Sequence, residues 1–151
     1  MKTFTTRSPA ATQELAQKVA HLAKPGLIIT LRGDLGAGKT TFTQGFAKAL
    51  GVKGRIKSPT FNILNIYQGD AFPIYHFDAY RLADTGAEDQ GFEDYIGTDG
   101  VTLIEWPQYM ADLLPQDYLA IDFQRQDSGG DDFRQIEVTG HGSAATLEAA
   151  L

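Results

Sequence analysis

The chain has 151 residues, no Cys and a formal net charge of −6. That length suits one domain, residues 1–151, with a core of ordinary size; 42% hydrophobic and 21% charged residues make it globular, not disordered. The missing thiols exclude disulfides, thiolate metal sites and Cys nucleophiles, and no apolar run nears the roughly 18 residues that span a bilayer.

Residues 1–16 hold no apolar stretch of the signal-peptide kind, so a cytoplasmic protein with no membrane association is expected. Residues 3–6 suit a short first strand. Ser8 and Pro9 then read as N-cap and first helical residue. Leu15, Val19 and Leu22 follow at helical spacing, with Ala16, Ala20 and Ala23 beside them, until Pro25 and Gly26 stop the helix. Residues 27–31 form a short apolar run bounded by turn residues, the pattern of a buried parallel strand. A glycine-rich turn over 33–38 leads into a helix over 39–50, with Phe42, Phe46, Ala49 and Leu50 inward and Gly51 at its end.

Residues 61–67 and 72–77 read as a hairpin around the link at 68–71. Residues 80–100 are acidic, with a weak helical pattern and glycines at 86, 91, 97 and 100. Another buried strand occupies 101–104, and a short helix is expected near 108–114, before Pro115. Residues 118–124 and 133–138 suit two more strands joined by the turn-rich 127–131. A terminal helix is expected over 144–151. A strand, a glycine loop, a helix and further strands predict an α/β fold on a mixed, partly antiparallel sheet.

Gly33-Asp34-Leu35-Gly36-Ala37-Gly38-Lys39-Thr40 matches G-x-x-x-x-G-K-S/T in full. Glycines let the backbone turn tightly and bring its N–H groups onto phosphate oxygens. The helix that follows points its positive end at the same anion. In such a loop Lys39 reaches the β- and γ-phosphates and the Thr40 hydroxyl ligates Mg²⁺. The motif lies between a predicted strand and a predicted helix, where the mechanism needs it.

Two strands run into an acid, Asp78 and Glu105, at the sheet edge where α/β ligands bind. Either can hold Mg²⁺. Asp78 also suits a helix N-cap, and Glu105 a solvated turn. Thr60 lies in a loop about twenty residues beyond the motif, where nucleotide switches present a Thr to the metal; a plain Ser-Pro turn is the other reading. His76 shares a strand face with Asp78 and reads better as a hydrogen-bonded structural residue than as a base. Arg81 suits phosphate contact or pairing with the acidic segment after it. Trp106, the only Trp, adjoins Glu105 and suits either the nucleotide edge or the core.

Charge is divided unevenly. Residues 1–57 carry a net +8 and residues 58–151 a net −14. A basic face for phosphates or RNA is one reading; halves that interleave in the fold are the other.

Taken together, Gly33-Asp34-Leu35-Gly36-Ala37-Gly38-Lys39-Thr40-Thr41, Ser58-Pro59-Thr60-Phe61, His76-Phe77-Asp78-Ala79-Tyr80-Arg81-Leu82 and Glu105-Trp106-Pro107 closely resemble the bacterial TsaE (formerly YjeE) family. Four motifs stand in the family's order at similar spacing, over nearly the whole chain and most weakly after about residue 125. The resemblance implies a compact α/β fold, a P-loop NTPase-like three-layer sandwich, and an ATPase of tRNA threonylcarbamoyladenosine (t6A) biosynthesis that binds ATP and Mg²⁺ and hydrolyses weakly alone. It implies two partner proteins, TsaB and TsaD, of which TsaD modifies A37 of tRNAs that read ANN codons. ATP hydrolysis then resets the complex between turnovers, and tRNA is met through the complex.

Carried over by motif, Leu35, Gly36, Ala37, Gly38, Lys39, Thr40 and Thr41 form the phosphate site, with Thr60 near it. Thr40 and Glu105 lie at Mg²⁺, Asp78 lies beside nucleotide and metal, and Trp106 belongs to the same edge. Ser8 matches the position that approaches adenine. The resemblance makes Lys39, Glu105 and Asp78 the catalytic set. A small phosphotransferase would use the same loop but needs several arginines over the transferred group, and only Arg81, Arg125 and Arg134 follow residue 57. A nucleotide-gated binding module also fits the loop. No guanine-reading Asn/Thr-Lys-x-Asp motif occurs, which favours ATP.

Overall fold

The structure is a computed structural model, and it describes residues 1–34, 37–54, 56, 63–82, 91–125 and 133–151, with Arg81 as backbone only. Leu35, Gly36 and Thr60, the acidic stretch 83–90 and the turn 127–131 therefore lie outside the described residues. Seven strands form one sheet: β1 (Lys2–Thr6), β2 (Ile28–Arg32), β3 (Leu64–Gln68), β4 (Pro73–Asp78), β5 (Val101–Glu105), β6 (Tyr118–Arg125) and β7 (Arg134–His141), in the order β1-β7-β6-β2-β5-β4-β3. The four central strands β6, β2, β5 and β4 are parallel. The outer pairs β1–β7, β7–β6 and β4–β3 are antiparallel, so the sheet is mixed as expected.

Helices α1 (Pro9–Leu22) and α2 (Lys39–Ala49) cover one face, with the terminal α3 (Ala145–Ala150) beside them on β7. Ser8 caps α1 as predicted: its Oγ accepts from Ala11 N–H at 3.1 Å, and Pro9 takes the first helical position. Gly45 lets the two helices approach closely, because a Cβ there would lie 2.9 Å from Gln13 Cα. Leu15, Val19, Phe42 and Phe46 meet Ile29, Leu31, Leu103 and Ile121 from the sheet in the main core. Phe42 and Phe46 are fully buried, and each such side chain contributes about 1.5–3 kcal/mol.

The opposite face carries a 3-10 turn where a short helix is expected near 108–114. It is covered by 3-10 turns at Ala79–Arg81, Phe92–Tyr95 and Pro107–Leu113. Glycine explains part of this: Gly91 and Gly97 take φ of 75° and 69° and interrupt any helix around Phe92–Tyr95. These turns bury Ile28, Tyr75, Phe77 and Ile104 in a second core. Strands β2 and β5 are thus buried on both faces and read as continuous apolar runs. Strand β6 alternates, with Leu119, Ile121 and Phe123 buried and Tyr118, Ala120 and Asp122 partly open. Among the described residues no helix is long and apolar enough to cross a membrane.

Candidate functional site

The parallel strands place their C-terminal ends on one sheet edge, where open α/β sheets bind ligands. Strand β2 ends at Arg32, and the chain turns through Gly33 and Asp34 before re-entering as α2. Gly33 has φ 152°, and a Cβ there would stand 2.9 Å from the Phe123 carbonyl. Gly38 is the N-cap of α2 with φ 109°, a conformation that disfavours any side chain. The motif glycines at these two positions are therefore steric requirements. Ala37 is buried and its N–H donates to the Asp34 carbonyl at 3.0 Å.

Lys39 opens α2 and is 5% exposed. Its Nζ lies 3.9 Å from Glu105 Oε1, at the outer edge of ion-pair range, and 4.3 Å from the centre of the Trp106 ring. A cation over an indole face is attracted by the ring quadrupole. Burial pushes the ammonium below its ordinary 10.5, and the charges of Glu105, Asp78 and Asp34 oppose that shift.

Glu105 is the last residue of β5 and is 4% exposed, so the solvated-turn reading is set aside. Its Oε2 lies 2.7 Å from His76 Nε2. His76 is the hydrogen-bonded residue that its strand pattern suggested. Asp78, at the end of β4, stands beside Glu105 in the parallel register. It also acts as the predicted cap: its Oδ1 accepts from Tyr80 N–H at 3.1 Å. Burial pushes the Asp78 carboxyl above its ordinary 3.8. The Tyr80 N–H pulls it down, Glu105 pushes it up, and His76 and Lys39 pull it down.

Trp106 follows Glu105 with φ 56° and ψ 54°, the one non-glycine with positive φ among the described residues. That geometry is strained for a bulky residue. It turns the chain sharply, so that the Trp106 ring meets Lys39 on one side and packs 5.2 Å from the Tyr80 ring on another. Of the two sequence readings of this Trp, the core one is seen directly, since its ring borders the second core.

Thr40 is partly exposed in the first turn of α2. Thr41 faces a small cleft shared with Ser8, Pro9, Thr12, Gly38 and Arg134. Ser8 is thereby brought to the phosphate loop from the start of α1. Arg134 is the residue that sequence reasoning missed. It comes from β7, and its Nε–H donates to the Ala37 carbonyl at 3.1 Å. No local pattern announces a contact 97 residues apart.

Thr40 Oγ, Asp78 and Glu105 are hard oxygen donors, the kind that suits Mg²⁺ shared with a substrate phosphate. Among the described residues no group of three or more His, Cys, Asp or Glu could hold a metal by itself. The set fits an ion that phosphate and water complete, not an all-protein cage.

Comparison with known proteins shows the family. The family described as Threonylcarbamoyl adenosine biosynthesis protein TsaE matches residues 6–136. The tRNA threonylcarbamoyladenosine biosynthesis protein TsaE of Bacillus subtilis is 45% identical over 138 residues, covering 91% of this chain and 85% of the relative. The protein of the same name from Streptomyces coelicolor is 37% identical, covering 92% of this chain and 97% of the relative. The crystal structure of Bacillus subtilis YdiB superposes with a TM-score of 0.80 at 38% identity, over 99% of this chain and 93% of that one. By its sequence and its fold, the chain belongs to the TsaE family of threonylcarbamoyl adenosine biosynthesis.

Proposed function

We propose that this protein is an ATPase that binds ATP with Mg²⁺, hydrolyses it slowly alone, and works with TsaB and TsaD in t6A modification of tRNA. One observation carries the reading: Lys39, at the start of α2, and Glu105, at the end of the neighbouring parallel strand, converge to 3.9 Å beside a glycine turn. A phosphate loop and a strand-end acid need that juxtaposition to work on one phosphate.

The residues divide the work. Loop N–H groups and the start of α2 bind the phosphates. Lys39 leaves Trp106 and neutralises charge on the β- and γ-phosphates. Thr40 and Glu105 hold the metal, with Asp78 next to them positioned to orient the attacking water. When bound there, Mg²⁺ would supply Lewis-acid stabilisation of phosphate charge. Arg134 braces the loop through the Ala37 carbonyl, and Ser8 stands on the base side of the cleft. Thr60 remains the proposed switch residue. Arg134 aims its Nε at the loop backbone, a bracing role; slow turnover alone, raised when partners complete the site, is part of the same proposal.

The test is ATP hydrolysis by the purified protein, alone and with TsaB, TsaD and tRNA, with Lys39→Ala as control. Slow turnover that rises sharply with the partners and vanishes in Lys39→Ala is the expected result. A rate indifferent to the partners removes the coupled mechanism and directs attention to phosphate transfer onto nucleosides.

A further inference from the structure

We propose that His76 is a positioning residue for Glu105: it holds one carboxylate oxygen so that the other is presented to the nucleotide-bound metal. This rests on the ATP and Mg²⁺ reading above. His76 is 1% exposed, and its Nε2 lies 2.7 Å from Glu105 Oε2. Its other ring nitrogen, Nδ1, is buried with no hydrogen-bond partner among the described residues.

That asymmetry assigns the proton. A buried N–H with no acceptor forfeits its hydrogen bond to water unrepaid, whereas a bare acceptor is the more tolerable orphan. The proton therefore belongs on Nε2, an assignment from the bonding pattern, and His76 donates to Glu105. Its one hydrogen bond is spent on this carboxylate, so the ring satisfies nothing else in the core.

Glu105 in turn has two distinguishable oxygens. Oε2 faces His76, and Oε1 faces Lys39. The last torsion of a glutamate is soft and broad, so a carboxylate held only by Lys39 would lose its orientation when Lys39 moves to phosphate. His76 supplies an anchor that does not move. It sits within β4, paired to β3 on one side and β5 on the other, with the Tyr67 ring 6.1 Å away. Anchors on sheet strands hold a site more tightly than anchors on loops.

Partners of this kind typically set metal affinity by about 10–100-fold. The experiment uses Mn²⁺ as the probe, with free Mn²⁺ read by electron paramagnetic resonance at saturating non-hydrolysable ATP analogue. Wild type is compared with His76→Leu and His76→Gln, and analogue affinity is measured separately in EDTA. Loss of the donor in His76→Leu is expected to weaken Mn²⁺ binding about 10–100-fold, with metal-free analogue affinity kept within about twofold of wild type. The Gln amide reaches the place of Nε2, so His76→Gln is expected to recover most of the loss. A folded His76→Leu with wild-type Mn²⁺ affinity overturns the proposal, and so does a His76→Gln no better than Leu. Wild type that binds the analogue with no metal dependence would instead remove the Mg²⁺ reading, and this inference with it. Should His76→Leu not fold, the ¹⁵N spectrum of the wild-type histidines decides: a proton on Nε2 of His76 supports the proposal, and one on Nδ1 overturns it.

Discussion

Lys39 holds a charge where the surroundings favour the neutral amine. Burial lowers its pKa despite the attraction of Glu105, Asp78 and Asp34, so desolvation outweighs all three. A group whose folded pKa lies below its unfolded value contributes stability above the unfolded pKa, and that stability is lost as pH falls through the folded one. At neutral pH the buried ammonium is therefore a cost to the fold. Lys39→Met, similar in length and uncharged, is expected to melt no lower than wild type at pH 7. The difference closes as pH rises toward 10.5, which thermal melts at the two pH values will show. Turnover is expected to fall on the order of a hundred- to a thousandfold, as for other single electrostatic contacts to developing charge. Asp78 mirrors the case from the acid side. Its folded pKa is raised above 3.8, so its favourable contribution is present below the unfolded pKa and lost as pH rises through the folded one. Asp78→Asn keeps an acceptor for Tyr80 N–H, since Asn is as good a cap as Asp. Its urea midpoint is expected to exceed that of wild type at pH 7 and to converge with it below about pH 4, while turnover drops about tenfold or more.

Elements whose signals are local were legible in the sequence, and elements defined by distant contact were not. The cap at Ser8, the apolar run of β2, Gly38 and the start of α2 all follow from neighbours within a few residues, and the structure places them within one or two residues of expectation. The hairpin of β3 and β4 was legible for the same reason. The layer over the second core was not, because Pro107–Leu113 carries helical spacing but is interrupted at Met110, with φ −124° and ψ 20°, and so stays a 3-10 turn. Glu105 looked ambiguous because its sequence neighbours do not reveal that His76 and Lys39 enclose it. Arg134 was invisible for the same reason: β7 reaches the phosphate loop only because β6 lies between β7 and β2 in the sheet. Its hydrogen bond to the Ala37 carbonyl fixes the loop from outside. Arg134→Ala is expected to remove a charged hydrogen bond of about 1.5–3 kcal/mol, or roughly 10–100-fold in Kd for ATP. Strand β7 should persist, since it remains paired to β6 and β1. Calorimetric titration with an ATP analogue will measure the loss; an unchanged Kd would mean that the loop keeps its shape without this brace.

The uneven charge along the chain does not divide the molecule in two. Strand β2 of the basic half sits between β5 and β6 of the acidic half, and β1 pairs with β7. Interleaving brings residues from both halves to one sheet edge: Ser8, Gly38 and Lys39 from the first, and Asp78, Glu105 and Arg134 from the second. Such a site exists only in the folded chain, because no short segment contains its parts. A ligand that binds it must therefore stabilise the whole domain by mass action. At a hundred times its Kd the gain is about 2.7 kcal/mol. In a domain of this size each kcal/mol moves the melting temperature about 2–4 °C, so a non-hydrolysable ATP analogue with Mg²⁺ is expected to raise it by roughly 5–11 °C. Lys39→Met at the same ligand concentration should show little of that rise while melting as well as wild type without ligand. The two results together separate a lost binding site from a damaged fold. A full shift retained in Lys39→Met would mean that nucleotide binds somewhere other than the edge formed by Lys39 and Glu105, and the assignment of the site would have to be given up.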